Sequence, residues 1–391
     1  MAAPASFAEP AAIARRLEAY VGIESTNPSL GGPGEAAMAD ALEADLGAAG
    51  LAVERQEVAP GRHNVFGRLG SDTSLPTIVL DAHLDTVPAS TTMKKPGWRG
   101  ETLFGRGSCD DKASLAAMVE AVRQVARRGG PRRANIVLSG TVDEEVTVKG
   151  AEAAVKRLAD ASLIIVGEPT GLDIGTWHKG TTRFTVEAHG RAGHSSMPEQ
   201  ADNAIMHMGI VLQRIAERVI PALGAMRHAS GESCKCSVGS IRGGGPLNAV
   251  PASCIIGVDV RRIPGVETDV VLALFDEVLG DLAAQGKVSR SAPIVSSRAF
   301  ATSASAELVG LVSGLARTQG AASREIGLPF GTNANRFAPG GAAILIAGPG
   351  DIRHAHADNE QVALSEVVQA ANFYIDVLDH APALLRPRGS A

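Results

Sequence analysis

Apolar and polar positions fall into two rhythms along this chain. Near residues 8–21, Ile13, Leu17, Tyr20 and Val21 recur on one face of a helix. In "DKASLAAMVEAVRQVARRGG", Leu115, Met118, Val119, Val122 and Val125 form a second helical stripe, closed by a glycine pair. Between such helices lie short, nearly continuous apolar runs: "NVFGRLG", "PTIVLDAHLD", "ANIVLSGTVDEE", "SLIIVGEPT" and, late in the chain, "AAILIAGPG". Uninterrupted apolar strands separated by helices predict an α/β fold whose mostly parallel sheet is covered on both faces. Three of these strands run into polar clusters at their carboxyl ends, the edge where open α/β sheets bind ligands.

The rhythm changes near residue 180. "RFTVEAHG", "KCSVGSIRGGG" and "SCIIGVDVRRI" alternate apolar with polar, and helices are expected near 202–218 and 268–285. That strand–helix–strand–strand–helix order predicts a small α+β, ferredoxin-like unit with one exposed sheet face. Beyond 295 come a helix at 304–319, the strand "AAILIAGPG", and a last helix at 364–379. The economical partition is a catalytic domain in two parts, 1–179 and 295–391, interrupted by an inserted domain at 180–294.

Composition narrows the function. The chain has 391 residues, 45% hydrophobic and 20% charged, ordinary for a globular protein of two domains. A net charge of −5, the lack of a long basic run and an aromatic content of 3% argue against nucleic-acid binding. No apolar run reaches membrane-spanning length, and the opening "MAAPASFAEPAAIARRLEAY" lacks the basic-then-apolar pattern of a secretion signal, so the cytoplasm is the expected compartment. Four scattered cysteines, Cys109, Cys234, Cys236 and Cys254, do not form a disulfide framework, and the "CKC" pair is read as packing. The glycines of "GGGP" lead into "LNAVP" rather than a helix, and no Walker lysine–serine pair occurs.

The chemistry gathers at strand ends and in glycine-bounded loops: His83-Leu-Asp85, Asp110-Asp111-Lys112, Asp143-Glu144-Glu145, Glu168-Pro-Thr and His354-Ala-His356. Each alone has a plain structural reading, as a solvated strand end, a helix cap, an acidic loop or a turn. Together, two histidines and three carboxylates offered from one sheet edge match the ligand mix of a two-zinc site. Crowded carboxylates there would repel one another unless cations neutralised them.

With those clusters in hand, the chain resembles the dinuclear-zinc M20 peptidase and deacylase family, which includes acetylornithine deacetylase, succinyl-diaminopimelate desuccinylase, aminoacylase and carboxypeptidase G. The text that carries the resemblance is "DAHLDTVPA", "LFGRGSCDDKASLAAM", "SGTVDEEV", "IVGEPT", "GRAGHSSMP", "GGGPLNAVPA", "DVRRIPG" and "GPGDIRHAHADNEQV", in family order. The resemblance implies two zinc ions, replaceable by cobalt, bridged by Asp110. His83 and Glu168 would complete one site, and Glu145 and His356 the other. His356 is chosen over His354 because Glu360 stands four positions after it, as in the family pattern. The resemblance further implies a cis bond at Asp110–Asp111, Asp85 as orienter of His83, Glu144 as general base, and His194 as oxyanion donor reaching the active site across a domain or subunit boundary. Asn248 is expected near the substrate, and Arg261 or Arg262 against its carboxylate. For these last four residues, a loop, turn or solvated-surface role stays open. The implied reaction is removal of the acyl group from a small N-acyl amino acid, in a homodimer paired through the inserted lid. A dipeptidase or carboxypeptidase is the alternative, and a metal-binding protein without turnover the alternative of another class. "GTNANRF" departs from the family, which often has an aspartate where Asn333 stands.

Overall fold

The computed structural model describes residues 7–93, 95–130 and 133–386, so the first six residues of the stretch read for a secretion signal lie outside it. The described chain divides into two compact units, one of 1–176, 302–326 and 332–391, the other of 177–301 and 327–331. No helix among the described residues is long and apolar enough to cross a membrane.

In the first unit the strands lie in the order Ala52–Ala59, Arg62–Leu69, Asn135–Thr141, Thr77–His83, Ala161–Val166 and Ala343–Ile346. The last four are mutually parallel, and an antiparallel hairpin forms the far edge. Asn135–Thr141, Thr77–His83 and Ala161–Val166 are buried at every position, which explains their unbroken apolar text. Their carboxyl ends point one way, toward His83, Glu144–Glu145 and Glu168.

The helix Pro10–Gly22 opens on a proline and buries Ile13, Leu17, Tyr20 and Val21, the stripe its spacing predicts. Lys112–Arg127 departs from its stripe. Besides the five apolar residues, it also buries Lys112, Ser114, Glu120 and Gln124. It is enclosed by the sheet and by the helices Pro10–Gly22 and Leu364–His380. Three of its polar groups survive burial through partners: Lys112 Nζ donates to the Ile23 carbonyl at 2.6 Å, and Glu120 accepts from Arg123 at 2.9 Å and from Gln124 at 2.8 Å.

The second unit runs strand Gly180–His189, helix Ala204–Arg214, strands Lys235–Gly243 and Ser253–Arg262, helix Thr268–Ala284 and strand Val288–Arg290. The sheet order, Lys235–Gly243, Ser253–Arg262, Gly180–His189, Val288–Arg290, is ferredoxin-like. The first helix runs longer than its pattern predicts, through a π-turn at Ile215–Val219 and on to Ala225. Both helices cover one sheet face, where Phe184 meets Phe275 edge-on at 4.9 Å. All four cysteines are free; Cys234 and Cys254 sit in this unit's core, with Cys236 packed against it.

Candidate metal and catalytic site

The strand Thr77–His83 delivers His83 to the carboxyl edge of the sheet, buried. Its Nδ1 lies 2.9 Å from the main-chain carbonyl of Asp85. A carbonyl only accepts, so Nδ1 carries its hydrogen and Nε2 is the nitrogen free to ligate. This differs from the expected contact. The Asp85 carboxylate is 3.6 Å from Nδ1, too long for a hydrogen bond, and is engaged elsewhere. It accepts from the Glu144 and Glu145 amides, at 2.9 and 3.2 Å, and from Asn27 Nδ2 at 2.8 Å. Asp85 therefore fixes the acidic turn with its side chain and the imidazole with its backbone.

Asp110 stands at the mouth of the buried helix, joined to Asp111 by a cis peptide bond. Its two oxygens face two different imidazoles: Oδ1 is 2.9 Å from His83 Nε2, and Oδ2 is 3.3 Å from His356 Nε2. His356 also lies 3.1 Å from Glu145. Donor atoms of His83, Asp110 and Glu145 fall within 4.8 Å of one another. Glu168, just past Ala161–Val166, is buried close enough to feel Glu144, Asp110 and Asp111. The structure thus brings His83, Asp110, Glu144, Glu145, Glu168 and His356 into one neighbourhood. His354 ends the short turn Ile352–His354 without joining it.

Charge is concentrated here. Burial, reinforced by neighbouring carboxylates, pushes the Glu144 and Glu168 carboxyls well above their ordinary range. Burial and Asp110 raise Glu145. Hydrogen bonds with Asp110 and Glu145 push His356 up to about 10. Among the described residues no lysine or arginine pairs with Asp110, Glu144, Glu145 or Glu168. Carboxylates and imidazoles with this geometry, and no lysine or arginine among the described residues to balance them, fit a divalent metal ion.

The chain belongs to peptidase family M20/M25/M40. The family model matches residues 79–380. An acetylornithine deacetylase of Myxococcus xanthus is 32% identical over 351 residues, covering 84% of this chain and 88% of its own. A peptidase M20 domain-containing protein of Schizosaccharomyces pombe is 29% identical over 352 residues, covering 88% and 80%. A tripeptidase of Staphylococcus aureus has the same fold, with a TM-score of 0.81 at 20% identity over 96% of this chain and 100% of its own. Enzymes of the M20 family are metal-dependent hydrolases, and the cluster above is where this member can hold its metal.

The remaining predicted residues belong to the second unit. His194 is exposed on a short strand paired with Ala249–Val250, which brings it beside Asn248; the Ser195 amide donates to the Asn248 carbonyl at 3.0 Å. The Ser196 amide donates to His194 Nδ1 at 3.2 Å, so the imidazole hydrogen sits on Nε2. Arg261 donates to Asp259 and Thr181, while Arg262 is buried and holds Thr182, Val266 and Ser297. Arg262 is therefore a structural arginine.

Several supporting residues carried no signal in the sequence. Asn27 bridges Asp85 to Asp143 at 2.8 and 3.0 Å, yet a lone asparagine before a proline reads as a turn. Arg62 pairs with both Glu35 and Asp143. These contacts hold Asp143 in left-handed backbone, φ 70°, which starts the Glu144–Glu145 turn. Glu360 accepts from the amides of Cys109 and Asp110 at 3.0 and 3.1 Å and pairs with Arg106. Nearby, a cavity of about 400 Å³ is lined by Thr86, Met93, Arg106 and Lys112. Arg106 and Lys112 are already engaged, and burial lowers Lys112 to about 7.

Proposed function

We propose that this chain is a zinc-dependent amidohydrolase that removes the acyl group from a small N-acyl amino acid. One arrangement supports the reading above all: Asp110 offers one oxygen toward His83 and the other toward His356, with the half-buried Glu144 beside them. That is a carboxylate set to be shared between two cations next to a general base. His83, Asp110 and Glu168 would hold one zinc, and Asp110, Glu145 and His356 the other; cobalt can substitute. When bound, the metal supplies Lewis acidity and brings water ionisation toward neutral pH.

The chain's own groups do the rest. Glu144 accepts a proton from the attacking water at its carboxylate and later delivers it to the leaving amine. A carboxyl with a raised proton affinity suits both directions of transfer. Asp85 keeps the Glu144–Glu145 turn aimed by holding both amides. His194, with its hydrogen on Nε2, is the donor for the developing oxyanion, and Asn248 beside it contacts the substrate. Arg261 is assigned to the substrate carboxylate.

We read the second unit, which contains the insertion expected at 180–294, as a lid that also forms a homodimer. Its outer strand Lys235–Gly243 is exposed at most positions and pairs on one side only. Ile241 on that strand and Ile205, Met206 and Ile210 on the helix Ala204–Arg214 are exposed apolar groups in this one unit. A sedimentation mass of two chains at micromolar concentration is expected.

The acyl preference follows the deacetylase relative at 32% identity. The deciding assay is a panel of N-acetyl and N-succinyl amino acids and dipeptides, with zinc or cobalt and a chelator control. Chelator-sensitive hydrolysis of an N-acyl amino acid is expected. Preference for dipeptides would move the chain to the peptidases, and hydrolysis of none would leave a metal-binding protein without turnover.

A further inference from the structure

Asp81 is out of place by ordinary rules. It is fully buried in the middle of the parallel sheet, opposite Ser139 on one neighbouring strand and Val166 on the other. On its own face of the strand the preceding residue, Val79, is fully buried too. Packing alone would be served by another aliphatic residue there, and a buried carboxylate is costly unless it does something. Two features of its surroundings say what it does. Asp81 stands two residues before His83, so both side chains leave the same face of the strand, roughly 7 Å apart along it. Its Oδ2 accepts from Asn333 Nδ2 at 3.1 Å, and the same amide donates to Thr141 Oγ1 at 2.8 Å.

We propose that Asp81 and Asn333 form a pair carrying a single negative charge, and that this pair is a positioning element beneath the His83 edge of the metal cluster. Asn333 ties the strand that bears His83 to Thr141, the last residue of the strand leading into Glu144 and Glu145. A donor at position 333 serves one oxygen of Asp81, with the Ser139 and Thr141 hydroxyls as its other polar neighbours. A carboxylate of the same shape there would bring two acceptors to 3.1 Å in a dry interior. Asn333 is itself buried, so its influence reaches the cluster through Asp81 and not through contact with a substrate. The inference rests on the metallohydrolase reading for its link to zinc, and on the contacts alone for the pairing.

Transposing the charge tests it. Three variants of the full chain are compared with the native protein: Asp81→Asn, Asn333→Asp, and the two together. Zinc affinity is measured by chelator competition, and the melting temperature on metal-free protein. Asp81→Asn removes the charge without changing shape, and zinc affinity should fall about tenfold with folding intact. Asn333→Asp doubles the charge, and the metal-free melting temperature should drop by several degrees or folding should fail. The double variant restores one carboxylate and one amide. It should recover the native melting temperature and bind zinc within about threefold of native, the scatter expected for a charge moved by one hydrogen bond.

A double variant that binds zinc no better than Asp81→Asn, or melts no higher than Asn333→Asp, overturns the proposal. Native-like zinc binding by Asp81→Asn also overturns it. If the native chain binds neither zinc nor cobalt, the metallohydrolase reading fails and the link to zinc falls with it. The melting temperatures then decide separately whether the two positions are coupled.

Discussion

The two groups of residues proposed for function sit in opposite physical settings. In the first unit, His83, Asp110, Glu144, Glu145 and Glu168 end buried strands or open a buried helix, and backbone amides, Asn27, Glu360 and one another hold them. In the second unit, His194 and Asn248 are exposed on a two-residue strand pair and its flanking loop, held by Ser196 and by a few main-chain bonds. A buried cluster of like charges needs a cation and a rigid frame, whereas an exposed donor needs only the right tautomer. The first group should therefore govern metal content, stability and turnover together, and the second turnover alone.

The sharpest break within the first group separates neighbours. Glu144→Ala should leave zinc bound and lower kcat by at least about 10³-fold, the loss of a general base. Glu145→Ala should instead lose metal, because His356 and Glu145 are 3.1 Å apart and share one proposed ligand set. Elemental analysis of both purified variants beside their kcat values checks this. Near-normal turnover by Glu144→Ala would remove that residue from the chemistry.

A smaller effect tests the second group. His194→Ala should cost about 10²-fold in kcat, the usual loss of one oxyanion donor, with zinc content and metal-free melting temperature unchanged. A shift in metal content would mean that the comparison is wrongly drawn and that His194 serves the cluster.

What was legible in the sequence follows the same division. Continuous apolar strands ending in acids are a chemical contradiction that a sequence displays openly, so the sheet, its carboxyl edge and most of the cluster could be read directly. The choice of His356 needed the family pattern, because spacing treats His354 and His356 alike. Asn27, Arg62 and Glu35 stayed hidden, since their role exists only once distant segments meet: Asn27 lies 58 residues from Asp85 and 116 from Asp143. The helix Lys112–Arg127 hid its burial for a related reason. A stripe marks one apolar face, but whether Glu120 and Gln124 also face protein depends on Arg16 and Arg123 reaching Glu120, which in turn accepts from Gln124. Asn333 stood out as a departure from the family, but its contacts with Asp81 and Thr141 could not be read from it.

Stability against pH gives the next, more modest effect. In metal-free protein, Glu144 and Glu168 hold their protons more tightly than the ordinary 4.5, chiefly through burial, and His356 titrates at about 10 against 6.5, chiefly through Asp110. A raised folded value means that the stabilisation is complete below the ordinary value and is lost as pH climbs toward the folded one. All three groups act in the same sense. Asp110 is held below 3.8 by His356 and His83 despite its burial, so its opposite contribution lies beneath this range. The metal-free chain should therefore melt roughly 5–10 °C lower at pH 8 than at pH 5. With zinc taking the place of the protons, that slope should flatten. Parallel slopes with and without metal, measured by calorimetry, would separate these groups from the metal.

The smallest expected effect is none, and it bears on how the cluster was assigned. By exposure alone, His354 is the better candidate ligand, being partly buried while the His356 side chain is 52% exposed. Distance reverses the choice. His356 adopts left-handed backbone, φ 60°, two residues past the turn that His354 closes. Its Nε2 thereby comes to 3.1 Å from Glu145 and 3.3 Å from Asp110. Such backbone costs a β-carbon-bearing residue about 1 kcal/mol, a cost reasonable where two carboxylates hold the ring and unexplained otherwise. His354→Ala should accordingly leave kcat, zinc content and melting temperature within error of native. A metal loss in that variant would exchange the roles of the two histidines, and with them the second half of the proposed zinc pair.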